Sequence, residues 1–167
     1  MKLILSVFWN ICLLRRGPEF VPTHPLFVAG VIIADILLSL FLRVQYGDEA
    51  PLLGIATFIL VTMATLATAT WLALSLRNVI GRFPATITAM FGCDLLFTLL
   101  LALVIPLAGG ARSAIGIGMG GLILIWSTAV NGFILHRAMN IPVFAGILSA
   151  FGMALVAATL ASSATGT

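Results

Sequence analysis

Charge is what this chain has least of. Eight of its 167 residues are Lys or Arg and five are Asp or Glu, 8% in all, while 62% are hydrophobic and the mean hydropathy is +1.24. So few polar side chains cannot clothe a water-soluble globule, which excludes the soluble classes at once. Cysteine is nearly missing too. Cys12 falls in the N-terminal segment and Cys93 in the middle of an apolar run, so no disulfide framework is expected and both thiols are predicted to be reduced. Together with His24 and His136 they show no ligand spacing for zinc or haem, and neither a metal nor another cofactor is implied. No basic run with interleaved aromatics is present, so nucleic acid is not an expected partner. No arrangement of serine, cysteine and histidine supports a nucleophile, so no catalytic residue is assigned and the expectation is a protein that is not an enzyme.

Long apolar runs are what the chain does have. Five are long enough to cross a hydrocarbon core of about 30 Å, which takes roughly 20 helical residues; they lie near residues 25–43, 52–76, 84–107, 114–135 and 141–162. The fold class that follows is all-α, a polytopic transmembrane helical bundle of five spans forming a single domain over 25–167. Residues 1–24 form a cytoplasmic amphipathic segment with a proline-rich link. Within it, Leu3, Ile4, Val7, Phe8 and Ile11 recur at helical spacing with Ser6 and Asn10 opposite. Residues 3–14 are too short to span, and no small-residue cleavage site marks them as a signal peptide. The prediction is a helix in the cytoplasmic interface, a depth that suits Trp9.

Sidedness follows from the basic residues, which resist translocation. With five spans, Lys2, Arg15, Arg16, Arg77, Arg82 and Arg137 share one side, and Arg43 and Arg112 lie opposite, near Asp48 and Glu49. This places the protein in the cytoplasmic (inner) membrane with its N-terminus in the cytoplasm and its C-terminus outside. Arg15, Arg16, Arg77, Arg82 and Arg137 could then gather as a rim for lipid headgroups or a partner, each worth about 1 kcal/mol near an anionic surface.

Two aspartates stand inside apolar runs. Asp35 lies ten residues after Pro25 and Asp94 ten residues after Pro84, and each pair is offset by the same 59 residues. The flanking residues 34–42 (ADILLSLFL) read against 93–101 (CDLLFTLLL), with Ser39 and Thr98 one turn beyond their aspartates. Pro142 follows Pro84 by 58 residues. The pattern predicts two parallel helical hairpins related about an axis along the membrane normal, with the fifth span opening a third unit. Counting 1.5 Å per residue, both carboxyls lie about 15 Å deep, at the bilayer midplane. Thr62, Thr65 and Thr68 of the second span and Ser127 and Thr128 of the fourth reach a similar depth. No Lys, Arg or His does, so at least one carboxyl is expected to be protonated at neutral pH. An intramembrane carboxyl is a candidate proton or ion site by default; here the candidates are Asp35, Asp94, Ser39 and Thr98. The competing expectation is that protonated carboxyls bond to hydroxyls or carbonyls on neighbouring helices and fix the bundle.

Small residues mark packing faces. Gly146, Ala150, Ala154, Ala158 and Ser162 recur every fourth residue in the fifth span, and Gly116 and Gly120 open the fourth. Such faces let helix backbones approach closely, within this chain first and against a second copy of it otherwise. Residues 116–121 (GIGMGG) fit the letters of a dinucleotide-binding loop. That fingerprint works only between a strand and a helix, so here it signals packing.

Five spans, a cytoplasmic amphipathic start and Gly17-Pro18 shortly before the first span together resemble the Yip family of membrane-trafficking proteins and its small bacterial relatives. Leu14-Arg15-Arg16 stands where the eukaryotic members carry an acidic-leucine-tyrosine stretch. The resemblance implies a non-enzymatic helical bundle that binds other membrane proteins or shapes lipid. The expected function is therefore that of an interaction or assembly partner within a larger membrane system, with membrane lipid and other membrane proteins as partners. The alternative is a small proton- or cation-coupled transporter or channel using Asp35 and Asp94.

Overall fold

Proline and left-handed residues decide where each helix starts and stops. In a computed structural model of the chain, which describes residues 2–46 and 51–166 and side chains from residue 6 onward, six α-helices are joined by short links. They are α1 Lys2–Cys12, α2 Pro25–Tyr46, α3 Leu52–Leu76, α4 Phe83–Leu107, α5 Ala114–Met139 and α6 Val143–Thr165. The side chains of Lys2, Leu3 and Ile4, and the loop residues Asp48 and Glu49 used in the sidedness argument, lie outside the described residues.

Pro25 opens α2, Pro84 sits in the first turn of α4, and Pro51 and Pro142 cap α3 and α6. A missing N–H costs nothing there, because the first turn has no intrahelical acceptors for its donors. Three helices end on a non-glycine residue in the left-handed region, Leu14 after α1, Asn78 after α3 and Asn140 after α5. At each end a following N–H turns back to a late carbonyl, as when Arg15 donates to Asn10 and Val79 to Leu74. Asn140 explains why α5 outruns its predicted end at 135: the helix continues through His136 and Arg137, whose charge and polarity suit a C-terminus, until the left-handed cap stops it. Ser113 caps the other end of α5, accepting from the Gly116 N–H at 2.9 Å.

The five long helices have 22 to 26 residues and reach at least about 33 Å, enough to cross a membrane. The chain is a multi-pass integral membrane protein of the all-α class. Its helices form a closed ring: α2 packs on α4, α4 on α5, α5 on α6, α6 on α3 and α3 on α2. Exchanging α2 with α4 and α3 with α5 would reverse the sense of this ring, whereas a rotation preserves it, so the ring is not the predicted two-fold along the membrane normal. The ring also corrects a second expectation. A third unit would place α6 on α4 as α4 sits on α2, whereas α6 instead closes the ring between α3 and α5.

Closure brings α5 and α6 together backbone on backbone. A Cβ on Gly132 would lie 2.5 Å from the Ile147 Cα, and one on Gly146 would collide with the Gly132 carbonyl. Ala150 continues this buried face, but Ala154 and Ala158 are exposed, and Ala157 and Ala161 are buried in their place. The physical reason is helical drift: four residues overshoot a 3.6-residue turn by about 40°, so a strict four-residue stripe rotates off a straight interface within three steps. Gly116 and Gly120 also depart from the expected packing. Gly116 is buried under the Gly110 carbonyl in the turn before α5, and a Cβ on Gly120 would meet nothing within 4 Å.

α1 forms where the sequence predicts, with Ser6 exposed and Phe8, Ile11 and Cys12 buried. It is docked against α4 and α5. The Phe8 ring occupies the space a Cβ on Gly92 would need and stacks on Phe27 with centroids 6.3 Å apart. The Trp126 indole donates to the Cys12 carbonyl at 3.0 Å. Gly92 and Cys93 lie about 14–15 Å along α4 and Trp126 about 20 Å from the end of α5, so the C-terminal end of α1 reaches below headgroup level. Trp9 still points outward, 61% exposed.

Candidate functional site

The aspartates meet because α2 and α4 run side by side from prolines at the same end. Pro25, Val28 and Ile32 share a cleft with Pro84 and Ile87; ten residues further along each helix, Asp35 and Asp94 are within electrostatic reach of each other. They are not equivalent in environment. Asp35 is 0% exposed, and neither carboxyl oxygen has a hydrogen-bond partner. Asp94 is half-buried. Ser39 and Thr98 are half-buried one turn beyond, and the Ser39 hydroxyl does not reach Asp35.

The hydroxyls at the same depth do not form a network around the pair. Thr62, Thr65 and Thr68 donate to the carbonyls of Phe58, Val61 and Ala64, four residues back on α3, at 2.7–2.8 Å. Ser127 and Thr128 both donate to the Leu124 carbonyl. Hydroxyls in apolar helices satisfy themselves this way when no better acceptor is fixed nearby. These hydroxyls are therefore satisfied within their own helices, while the Asp35 carboxyl is left without a partner.

Sequence reasoning missed two features. Asn131, within α5, has its Oδ1 buried with no partner. Being uncharged it drew no notice, yet a carboxamide inside an apolar span is the same kind of signal as the aspartates. The second is the meeting of the cysteines. Although 81 positions apart in sequence, the Cys12 and Cys93 thiols come within interacting distance of each other, and the Cys93 Sγ lies 4.0 Å from the Phe8 carbonyl. Both are free thiols. Cys93 neighbours Asp94, so α1 covers α4 beside the carboxyl pair. Oxidation of the full chain in membranes with a membrane-permeant oxidant is expected to join Cys12 to Cys93 within one chain, seen as a mobility shift that reductant reverses and Cys12→Ser abolishes. Failure to crosslink would show that α1 is not docked here.

At the end of the bundle that carries most of the basic residues, Arg82 donates through Nη1 to the Ala138 carbonyl at 2.9 Å and the Arg137 carbonyl at 3.4 Å, clamping the link before α4 to the C-terminus of α5. Arg137 lies over the Phe133 ring and Arg16 over the Phe20 ring. Arg15 and Arg77 are exposed. Of the five predicted rim residues, Arg82 and Arg137 are brought together, beside a cavity of about 290 Å³ that Glu19 also lines. At the opposite end Arg43 lies over Phe58, 4.1 Å from the ring centre.

Among the described residues, no three His, Cys, Asp or Glu side chains converge in a way that could hold a metal ion. The chain matches no family model, no curated protein and no solved structure.

Proposed function

We propose that this protein is a Yip-like interaction or assembly partner of the cytoplasmic membrane, N-terminus inside and C-terminus outside, that docks another membrane protein through its fourth and fifth spans. The observation that carries this reading is a set of small residues on these two helices that the bundle itself leaves uncovered. A Cβ on Gly118, Gly120 or Gly121 of α5, or on Gly152 of α6, would meet nothing within 4 Å, and Ala154 and Ala158 are exposed. Glycine and alanine on a lipid-facing surface give up van der Waals contact that a close-packed helix would supply. The full burial of Asp35 also favours this reading, since a site used for transport needs water or a substrate path to it.

Affinity purification of the full chain in mild detergent, followed by mass spectrometry, is expected to recover a stoichiometric membrane partner or a second copy. Gly121→Leu and Ala158→Leu, which place bulk in open space, are expected to release it while the protein remains folded. Recovery unaffected by both variants would remove the docking surface from these helices.

One observation favours a second reading, proton or cation coupling: the wholly buried carboxyl of Asp35 beside Asp94 has no hydrogen-bond partner, and such groups often mark ion pathways. In proteoliposomes under a pH gradient, the assembly reading predicts no flux that Asp35→Asn or Asp94→Asn can change. Flux lost in either variant, with the fold intact, would replace it with the coupling reading.

A further inference from the structure

The cavity at the arginine-rich end is more selective than a basic rim requires. It forms where three distant segments meet: the 3₁₀ turn Pro18–Phe20, the start of α4 and the end of α5. Its lining includes Arg82, Arg137, Asn140, Thr86 and Glu19. The two guanidiniums are held, Arg82 by the carbonyls of Arg137 and Ala138, and Arg137 over Phe133. Arginine fixed in this way is suited to phosphate oxygens, which its planar fork can bond in pairs. Glu19 changes what the cavity can accept. A site for a purely anionic phosphate would gain nothing from a carboxylate in its wall and would lose affinity to it.

The Glu19 carboxylate is also placed by the backbone. It folds back over Gly17, occupying the position a Cβ there would take. Glycine at position 17 thus lets the carboxylate lie against the main chain next to Pro18, which is buried. Two positive groups and one negative group around a volume of about 290 Å³, near the small end of the range for ligand sites, call for a ligand with a phosphate at one end and a hydrogen-bonding cation at the other.

We propose that this cavity binds a phosphoethanolamine group, its phosphate on Arg82 and Arg137 and its primary ammonium on Glu19, with phosphatidylethanolamine of the adjoining leaflet as the source. A quaternary choline ammonium has no N–H to donate to Glu19, and a glycerol headgroup has no cation at all. The inner-leaflet assignment rests on the orientation proposed above; the chemistry of the cavity does not.

Native mass spectrometry of the full chain in detergent, offered equal amounts of phosphatidylethanolamine, phosphatidylglycerol and phosphatidylcholine with identical acyl chains, tests this. Retention of phosphatidylethanolamine is expected to exceed the other two by about tenfold, the ratio that about 1.4 kcal/mol supplies. Glu19→Gln is expected to erase the preference over phosphatidylglycerol while retaining arginine-dependent binding, and Arg137→Gln to weaken all three lipids. Gly17→Ala displaces the carboxylate without changing the net charge; the obstruction is the end of a flexible side chain, so the fold should persist while the preference falls. Equal retention of the three lipids by the unaltered chain, or a preference that survives Glu19→Gln, would overturn the proposal. Free phosphoethanolamine is the remaining arm. If it displaces the lipid at comparable concentration, the source is a soluble phosphoamine; if it does not, the source is the lipid.

Discussion

Gly132→Ala is expected to lower the stability of the detergent-solubilised protein by about 1–3 kcal/mol, the usual range for forcing bulk into a packed interface. The added methyl would lie 2.5 Å from the Ile147 Cα and 2.8 Å from its nitrogen. These are backbone atoms, so no change of side-chain rotamer relieves the overlap. The helices must separate, and separation undoes the neighbouring approach of Gly146 to the Gly132 carbonyl as well. Because α6 closes the ring by touching both α3 and α5, the loss spreads beyond one helix pair. The control is Gly121→Ala on the same helix, where a Cβ meets nothing within 4 Å; there the gain in helix propensity makes the expected change neutral or slightly favourable. Thermal unfolding of both variants decides the matter. A drop of several degrees for Gly132→Ala alone supports the ring, and equal behaviour of the two variants counts against the α5–α6 interface.

Asp35→Val is expected to act in the opposite direction. Leaving a buried polar group unpaired costs about 1–3 kcal/mol, and a central aspartate carries roughly 2.5–3.5 kcal/mol of insertion cost that valine lacks. Valine is close to aspartate in size, so relief of the unpaired carboxyl should outweigh any repacking. The variant is expected to unfold at a temperature several degrees higher, and Asp94→Val, at a half-buried position, should gain less. The sign carries the information. A stabilised Asp35→Val protein means the carboxyl is held at a loss, and a residue held at a loss inside a membrane is a candidate for activity. A destabilised one means that in the membrane the carboxyl is bonded, through a proton shared with Asp94 or a bound cation.

These two residues also show how far a one-dimensional reading reaches. The depth of Asp35 and Asp94 could be counted from their prolines because a helix advances a fixed distance per residue. Their pairing could be anticipated from the 59-residue offset, since repeats entering from one side place equivalent positions at equal depth. Their difference could not. Whether a carboxyl is sealed or half-open depends on which side chains of other helices arrive beside it, and the docking of α1 next to Cys93 on one half of the ring only is a long-range event with no local signature. The same limit explains the small-residue stripe. Its presence in the fifth span was legible, but which of its members are buried depended on the crossing of α5 and α6, where a strict four-residue period drifts off the interface and Ala157 and Ala161 take over from Ala154 and Ala158. Asn131 and the Cys12–Cys93 contact belong to this group too, each being ordinary in sequence and distinctive only beside its neighbours.

By itself, then, the sequence determined the class of the protein, the number of its spans, their ends to within a turn or so and the depth of its intramembrane carboxyls. All of these follow from hydropathy, helical rise and the local chemistry of proline and asparagine. Tertiary structure alone decided that α6 closes the five helices into a ring, that Asp35 is wholly buried while Asp94 is half-buried, and that Glu19 joins Arg82 and Arg137 around one cavity. Local rules act over a few residues and fix elements. Contacts between residues far apart in the chain are chosen by the fit of whole helix faces, and these contacts created both candidate sites.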